Sequence, residues 1–196
     1  MKPTLRRLTA LALGALALVS CGIDQPTAVQ RPAASAPDAP SASLLTSITS
    51  LLTVDGLQRT TPLAAPITVS KVIGADGGTL SIPQAGVTVV VPKGALTQAT
   101  TITMTARAGS LVAYDFAPHG ITFARPLVFS QQLKGTNASL LTAPLLQLGY
   151  YSDPNLLTQT GGLVSQLLGG TVDLLTGTFT APIPHFSGYI VTCGRR

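Results

Sequence analysis

The chain has 196 residues, of which 10% are charged; its formal net charge is +5, it has no Trp or Glu, and all seven acids are Asp. Nineteen Gly and fifteen Pro among abundant Thr, Val, Leu and Ala argue against long helices. Two His and two Cys exclude Cys/His metal clusters, and the missing Glu excludes paired glutamates, which leaves a small, weakly charged, all-β domain as the expectation.

The chain opens with Lys2, Arg6 and Arg7 and no acid, followed by an apolar run of Leu, Ala and Gly from Leu8 to Val19. A positive stretch before a short apolar run reads as an export signal over residues 1–20, because a membrane-crossing helix needs about 20 apolar residues. The run ends Leu18-Val19-Ser20-Cys21, followed by Gly22. That tetrad resembles the lipobox of bacterial lipoproteins, and the resemblance implies a lipidated Cys21 that becomes the first residue after cleavage. Two or three acyl chains (palmitate-type) anchor stably where one is marginal. The expected address is therefore the cell envelope, membrane-anchored by lipid. Gly22 stands where retention at the inner membrane is associated with Asp, which implies the outer membrane if the organism has two.

Removing residues 1–20 leaves nine basic residues against seven aspartates, a charge of +2. The basic residues that remain are scattered apart from Arg195-Arg196, so no nucleic-acid partner is expected. With Cys21 acylated, Cys193 has no partner for an intrachain disulfide; a buried thiol and an intermolecular link both remain open.

Residues 21–66 read as a tether. Gly22 to Ser43 is rich in Pro, Ala and Ser and has too little apolar surface to offset the entropy of ordering. Leu44, Leu45, Ile48, Leu51 and Leu52 have one-sided helical spacing, which predicts a short helix over 44–52 docked on the domain or on the membrane. Thr53 to Pro66 reads as loop. As coil, some 45 residues would reach about 35–40 Å.

From Ile67 to the C-terminus, short apolar runs alternate with turn residues every eight to twelve positions, the pattern of an antiparallel β-sandwich. Residues 67–73, 79–82, 87–91, 100–106, 111–116, 121–130, 145–151, 171–174, 178–181 and 186–192 are the predicted strands. Ala75-Asp76-Gly77-Gly78 reads as a hairpin turn and Pro92-Lys93-Gly94 as a type I turn. Leu156 to Leu168 reads as a helix broken at Gly161-Gly162 or as an apolar loop.

Ile73-Gly74-x-x-Gly77-Gly78-x-Leu80, then Ala85-Gly86-Val87-x-Val89-x-Val91-Pro92-x-Gly94-Ala95-Leu96, then the alternation over Thr100–Thr105, resemble the ZU5 domain. Phe116-x-Pro118-x-Gly120-x-x-Phe123-x-x-Pro126-Leu127 continues the pattern, and His185-Phe186-Ser187-x-Tyr189 resembles its end. The resemblance implies a ZU5-like sandwich over 67–196 and, by analogy with eukaryotic members, a protein-binding role toward an unidentified envelope protein.

It also implies one chemical alternative. Some ZU5-containing adaptors cut themselves between the Phe and Ser of this tripeptide, which here makes Ser187 the nucleophile on the Phe186 carbonyl and His185 the base. Such chemistry needs a base within reach and a strained amide. The competing and favoured reading has Phe186 in the core, with His185 and Ser187 facing outward or satisfying a turn. Asp115, His119 and a serine could form a hydrolase triad, but no nucleophile elbow exists and His119 reads as a turn residue. Nothing calls for a metal ion, cofactor or small-molecule substrate. The candidate binding surface is the uncharged apolar stretch around Leu163, Val164 and Leu167, either core or exposed patch.

Overall fold

The computed structural model describes residues 51–195. The fifteen strands are β1 Leu52–Gly56, β2 Gln58–Leu63, β3 Ile67–Ile73, β4 Gly78–Ile82, β5 Val87–Val91, β6 Thr100–Ala106, β7 Gly109–Leu111 and β8 Ala113–Ala117; then β9 Thr122–Gln132, β10 Gln147–Tyr151, β11 Gly161–Val164, β12 Gln166–Gly169, β13 Thr171–Asp173, β14 Thr178–His185 and β15 Gly188–Arg195. Three short 3-10 turns join them, and no α-helix occurs among the described residues. The all-β expectation holds.

Two antiparallel sheets build a sandwich. One has the order β13-β14-β9-β5-β4; the other runs β11-β1-β15-β8-β6-β3, with β10 added between β15 and β12. Alternation explains the packing between them. Val87, Val89 and Val91 of β5 are buried, as are Ile102, Met104 and Ala106 of β6, and they share one core with Phe116, Phe129 and Phe179. Tyr114 of β8 meets Phe129 of β9 edge-on across the core at 5.6 Å. The outward faces carry hydroxyls in place of charges. Thr68 and Thr105 pair at 2.9 Å and Ser70 and Thr103 at 2.8 Å across β3 and β6, which is how so weakly charged a chain keeps a polar sheet face.

Beside the main core the large sheet closes on itself. β15 has β10 along one edge and β8 followed by β1 along the other. β1 carries β11 on its far side, β12 follows β11 after Ser165, and β12 returns to β10. This ring surrounds a second core of Val54, Leu111, Ala113, Tyr151, Val164 and Ile190. β15 and β10 are thus buried on both faces: Tyr189, Val191 and Leu148 point to the main core, Ile190 and Tyr151 to the second.

Four sequence expectations are corrected. The domain does not start at residue 67: β1 and β2 lie inside the stretch read as tether, because Val54 and Leu57 are fully buried and β1 pairs with β11 and β15. The 156–168 run forms β11 and β12, not a helix, because its backbone pairs with β1 and then with β10. The Gly77 turn is not a hairpin, since β3 and β4 belong to different sheets. It tucks under the next turn, where a Cβ on Gly77 would strike the Val91 carbonyl. The Pro92 turn begins one residue later than read: Ala95 N–H donates to the Pro92 carbonyl, and Gly94 occupies the third position at φ 75°. The signal segment, Cys21 and all but the last two residues of the 44–52 stretch lie outside the described residues; Leu52 opens β1.

Candidate functional site

The His185-Phe186-Ser187 tripeptide is the crossing from one sheet to the other, between β14 and β15. It is pinned at both ends: Phe186 N–H donates to Ile121, and the Ser187 carbonyl accepts from Phe116 N–H. Phe186 stacks on Phe116 at 5.6 Å and is buried, as the packing reading expects. Ser187 is buried too, not outward, and its Oγ donates to the Tyr151 carbonyl at 3.2 Å. His185 Nδ1 lies 3.3 Å from the Tyr189 hydroxyl, which also donates to the His185 carbonyl at 2.8 Å. The structure therefore gives Ser187 and His185 separate partners and does not join them as nucleophile and base.

The other pairing fares similarly. Asp115 accepts from Arg107 at 2.9 Å and from the Tyr151 hydroxyl at 2.8 Å, while His119 is exposed in the loop after β8. Asp115 and His119 form no relay. Burial, then the Asp115 carboxylate, pushes the Tyr151 phenol far above its ordinary value.

The apolar stretch divides. Val164 is fully buried in the second core, Leu167 is half-buried against it, and Leu163 is half-buried. Val164 therefore belongs to the wall of the ring and offers nothing to a partner. The leucines that the surface does present are elsewhere: Leu140, Leu141 and Leu145 before β10, and Leu174 and Leu175 after β13, the last 99% exposed. The 3-10 turn Ala143–Leu145 contacts β13, the strand that leads into Leu174 and Leu175. The sequence hides this because the two groups are distant in the chain and neither forms a long apolar run.

One polar constellation had no signal at all in the sequence. Arg59 on β2 is 6% exposed; its Nη1 donates to the Leu111 carbonyl at 2.5 Å and its Nη2 to the Tyr114 hydroxyl at 3.3 Å. The guanidinium also lies 5.6 Å from the Tyr114 ring centre. The Tyr114 hydroxyl in turn meets Gln131 Oε1 at 2.5 Å and the Ala85 carbonyl at 3.1 Å, and Gln131 Nε2 donates to Ala85 and Gln132 carbonyls. Burial raises the Tyr114 phenol to about 12 despite the opposing pull of Arg59.

β3 to β6, with the interlocked Gly77 and Gly94 turns and the left-handed Gly86 that joins β4 to β5, form the segment whose pattern is most specific. Residues 69–109 match the ZU5 domain family. The match runs from β3 to the first residue of β7; it stops short of the Phe116–Leu127 string and of the His185 tripeptide. A ZU5-like segment thus forms one edge of both sheets, β5-β4 in one and β6-β3 in the other, and it points to a protein-interaction module. No curated protein matches the chain.

Proposed function

We propose that the protein is exported, acylated at Cys21 and held at the cell envelope by its lipid, where the ZU5-like sandwich serves as a non-enzymatic protein-interaction or structural module. The ZU5 match over residues 69–109 carries the interaction part of this reading. The basic start, the short apolar run and the Leu18-Val19-Ser20-Cys21 tetrad support the anchor. Gly22 favours the outer membrane where there are two. The self-processing alternative draws no support from the separate partners of His185 and Ser187.

In this reading the partner meets the exposed leucines Leu140, Leu141, Leu145, Leu174 and Leu175, since solvent-exposed leucines in this number are costly unless covered. Crosslinking in intact envelopes, followed by purification of the tagged protein, is expected to yield a discrete adduct. Leu141→Asp together with Leu175→Asp should remove that adduct and leave the melting temperature unchanged, since neither side chain is packed. An adduct that persists in the double variant would exclude this surface, and no adduct in the wild type would exclude the interaction role.

A further inference from the structure

A cavity of about 320 Å³ opens beside the Arg59 network, walled by Arg59, Thr61, Gln84, Gln132, Lys134 and their neighbours. Its walls hold two cations and no acid. Arg59 is the decisive feature. Its charge is buried, and among the described residues its partners are neutral: a carbonyl, a phenol and an aromatic face. Its Nε is buried and has no hydrogen-bond acceptor among the described residues. The network needs hydrogen-bond donors, which a neutral side chain could supply; the positive charge is surplus to the fold and costly to bury unpaired.

The geometry points to an oxyanion of the phosphate class as the occupant of this cavity, balancing Arg59 and gripped by Lys134. Arg59 and Lys134 together match a doubly charged guest, and a tetrahedral oxyanion accepts from several directions at once. The walls come from three separate segments, at residues 59–61, 83–86 and 131–136, so donors approach from different sides. The Lys134 ammonium and the Gln84 amide make no hydrogen bond or ion pair among the described residues and can turn onto a guest. Such a group could arrive as free phosphate or as the phosphomonoester end of a larger molecule; the chemistry of recognition is the same. The assignment does not depend on the anchor at Cys21.

Calorimetric titration of the purified full chain with inorganic phosphate, glycerol phosphate, acetate and chloride at matched ionic strength tests it. Saturable binding of phosphate, absent with acetate and chloride, is expected, together with a rise in melting temperature. Tighter binding of glycerol phosphate than of phosphate would identify an ester as the guest, and the reverse would identify the free ion. Lys134→Ala, at an exposed position, should fold normally and bind at least about tenfold more weakly, and Arg59→Gln should abolish binding. If Arg59→Gln does not fold, Lys134→Ala alone decides. Equal effects of all four anions, or unaltered affinity in Lys134→Ala, would overturn the assignment.

Discussion

Gly188→Ala is expected to lower the melting temperature by about 6–12 °C, the equivalent of about 3 kcal/mol in a domain of this size. Tyr151 on β10, Gly188 on β15 and Asp115 on β8 lie in one row across three adjacent strands. The Tyr151 ring crosses directly over Gly188 to place its hydroxyl 2.8 Å from Asp115 and 3.1 Å from the Tyr114 carbonyl. A Cβ at 188 would sit inside the ring, closest to its Cε2. The ring cannot lift without leaving its partners, so overpacking adds to the loss of a buried hydrogen bond. Thermal unfolding of Gly188→Ala, Tyr151→Phe and the double variant measures the coupling. The double variant should lose clearly less than the sum of the singles; strict additivity would show that the ring does not depend on the glycine.

Stability should also fall steeply in alkali. Three of the four tyrosines have phenols raised above the ordinary value of 10: Tyr114 to about 12, and Tyr151 and Tyr189 further still, in each case chiefly through burial. A group whose folded pKa lies above its unfolded one contributes fully below the unfolded value and loses that contribution as pH rises toward the folded one. The window therefore opens at pH 10. By pH 12 Tyr114 alone removes about 2 kcal/mol. Urea unfolding across this range, followed by phenolate absorbance, should show ionisation of these three tyrosines coinciding with loss of fold. More than one phenolate per chain near pH 10 in the still-folded protein would contradict their burial.

Strands β3 to β6 were legible because each buries one face: Thr and Ser alternate with Val, Leu, Ile and Met, and the period of two is plain. The ring was not. β11 pairs with β1 on one edge and meets Leu157 on the other, and its two buried glycines leave Gly161-Gly162-Leu163-Val164 without alternation, while its neighbours fall into helical spacing by accident. The glycines that looked like helix breakers are packing requirements: a Cβ at 161 would overlap the Val54 carbonyl, and one at 162 would lie 2.9 Å from that of Leu156. β1 and β2 were concealed by Pro62 and by a polar run, Gln58 to Thr61, whose partners are the three-residue β7 and an isolated bridge to Thr136. The tripeptide at 185–187 was legible as residues but not as geometry, since only the fold reveals that Tyr189 and Tyr151 claim the two groups. Arg59 illustrates the limit best: one arginine in a loop-like stretch takes its meaning from Leu111, Tyr114 and Gln131, far along the chain.

Metabolic labelling with a clickable fatty acid is the most direct trial of an envelope module held by lipid. The wild-type protein should carry the label and sediment with membranes, whereas Cys21→Ser should carry none and leave the membrane fraction. Label retained in Cys21→Ser, or an unlabelled wild-type protein released as freely as the variant, would contradict the account.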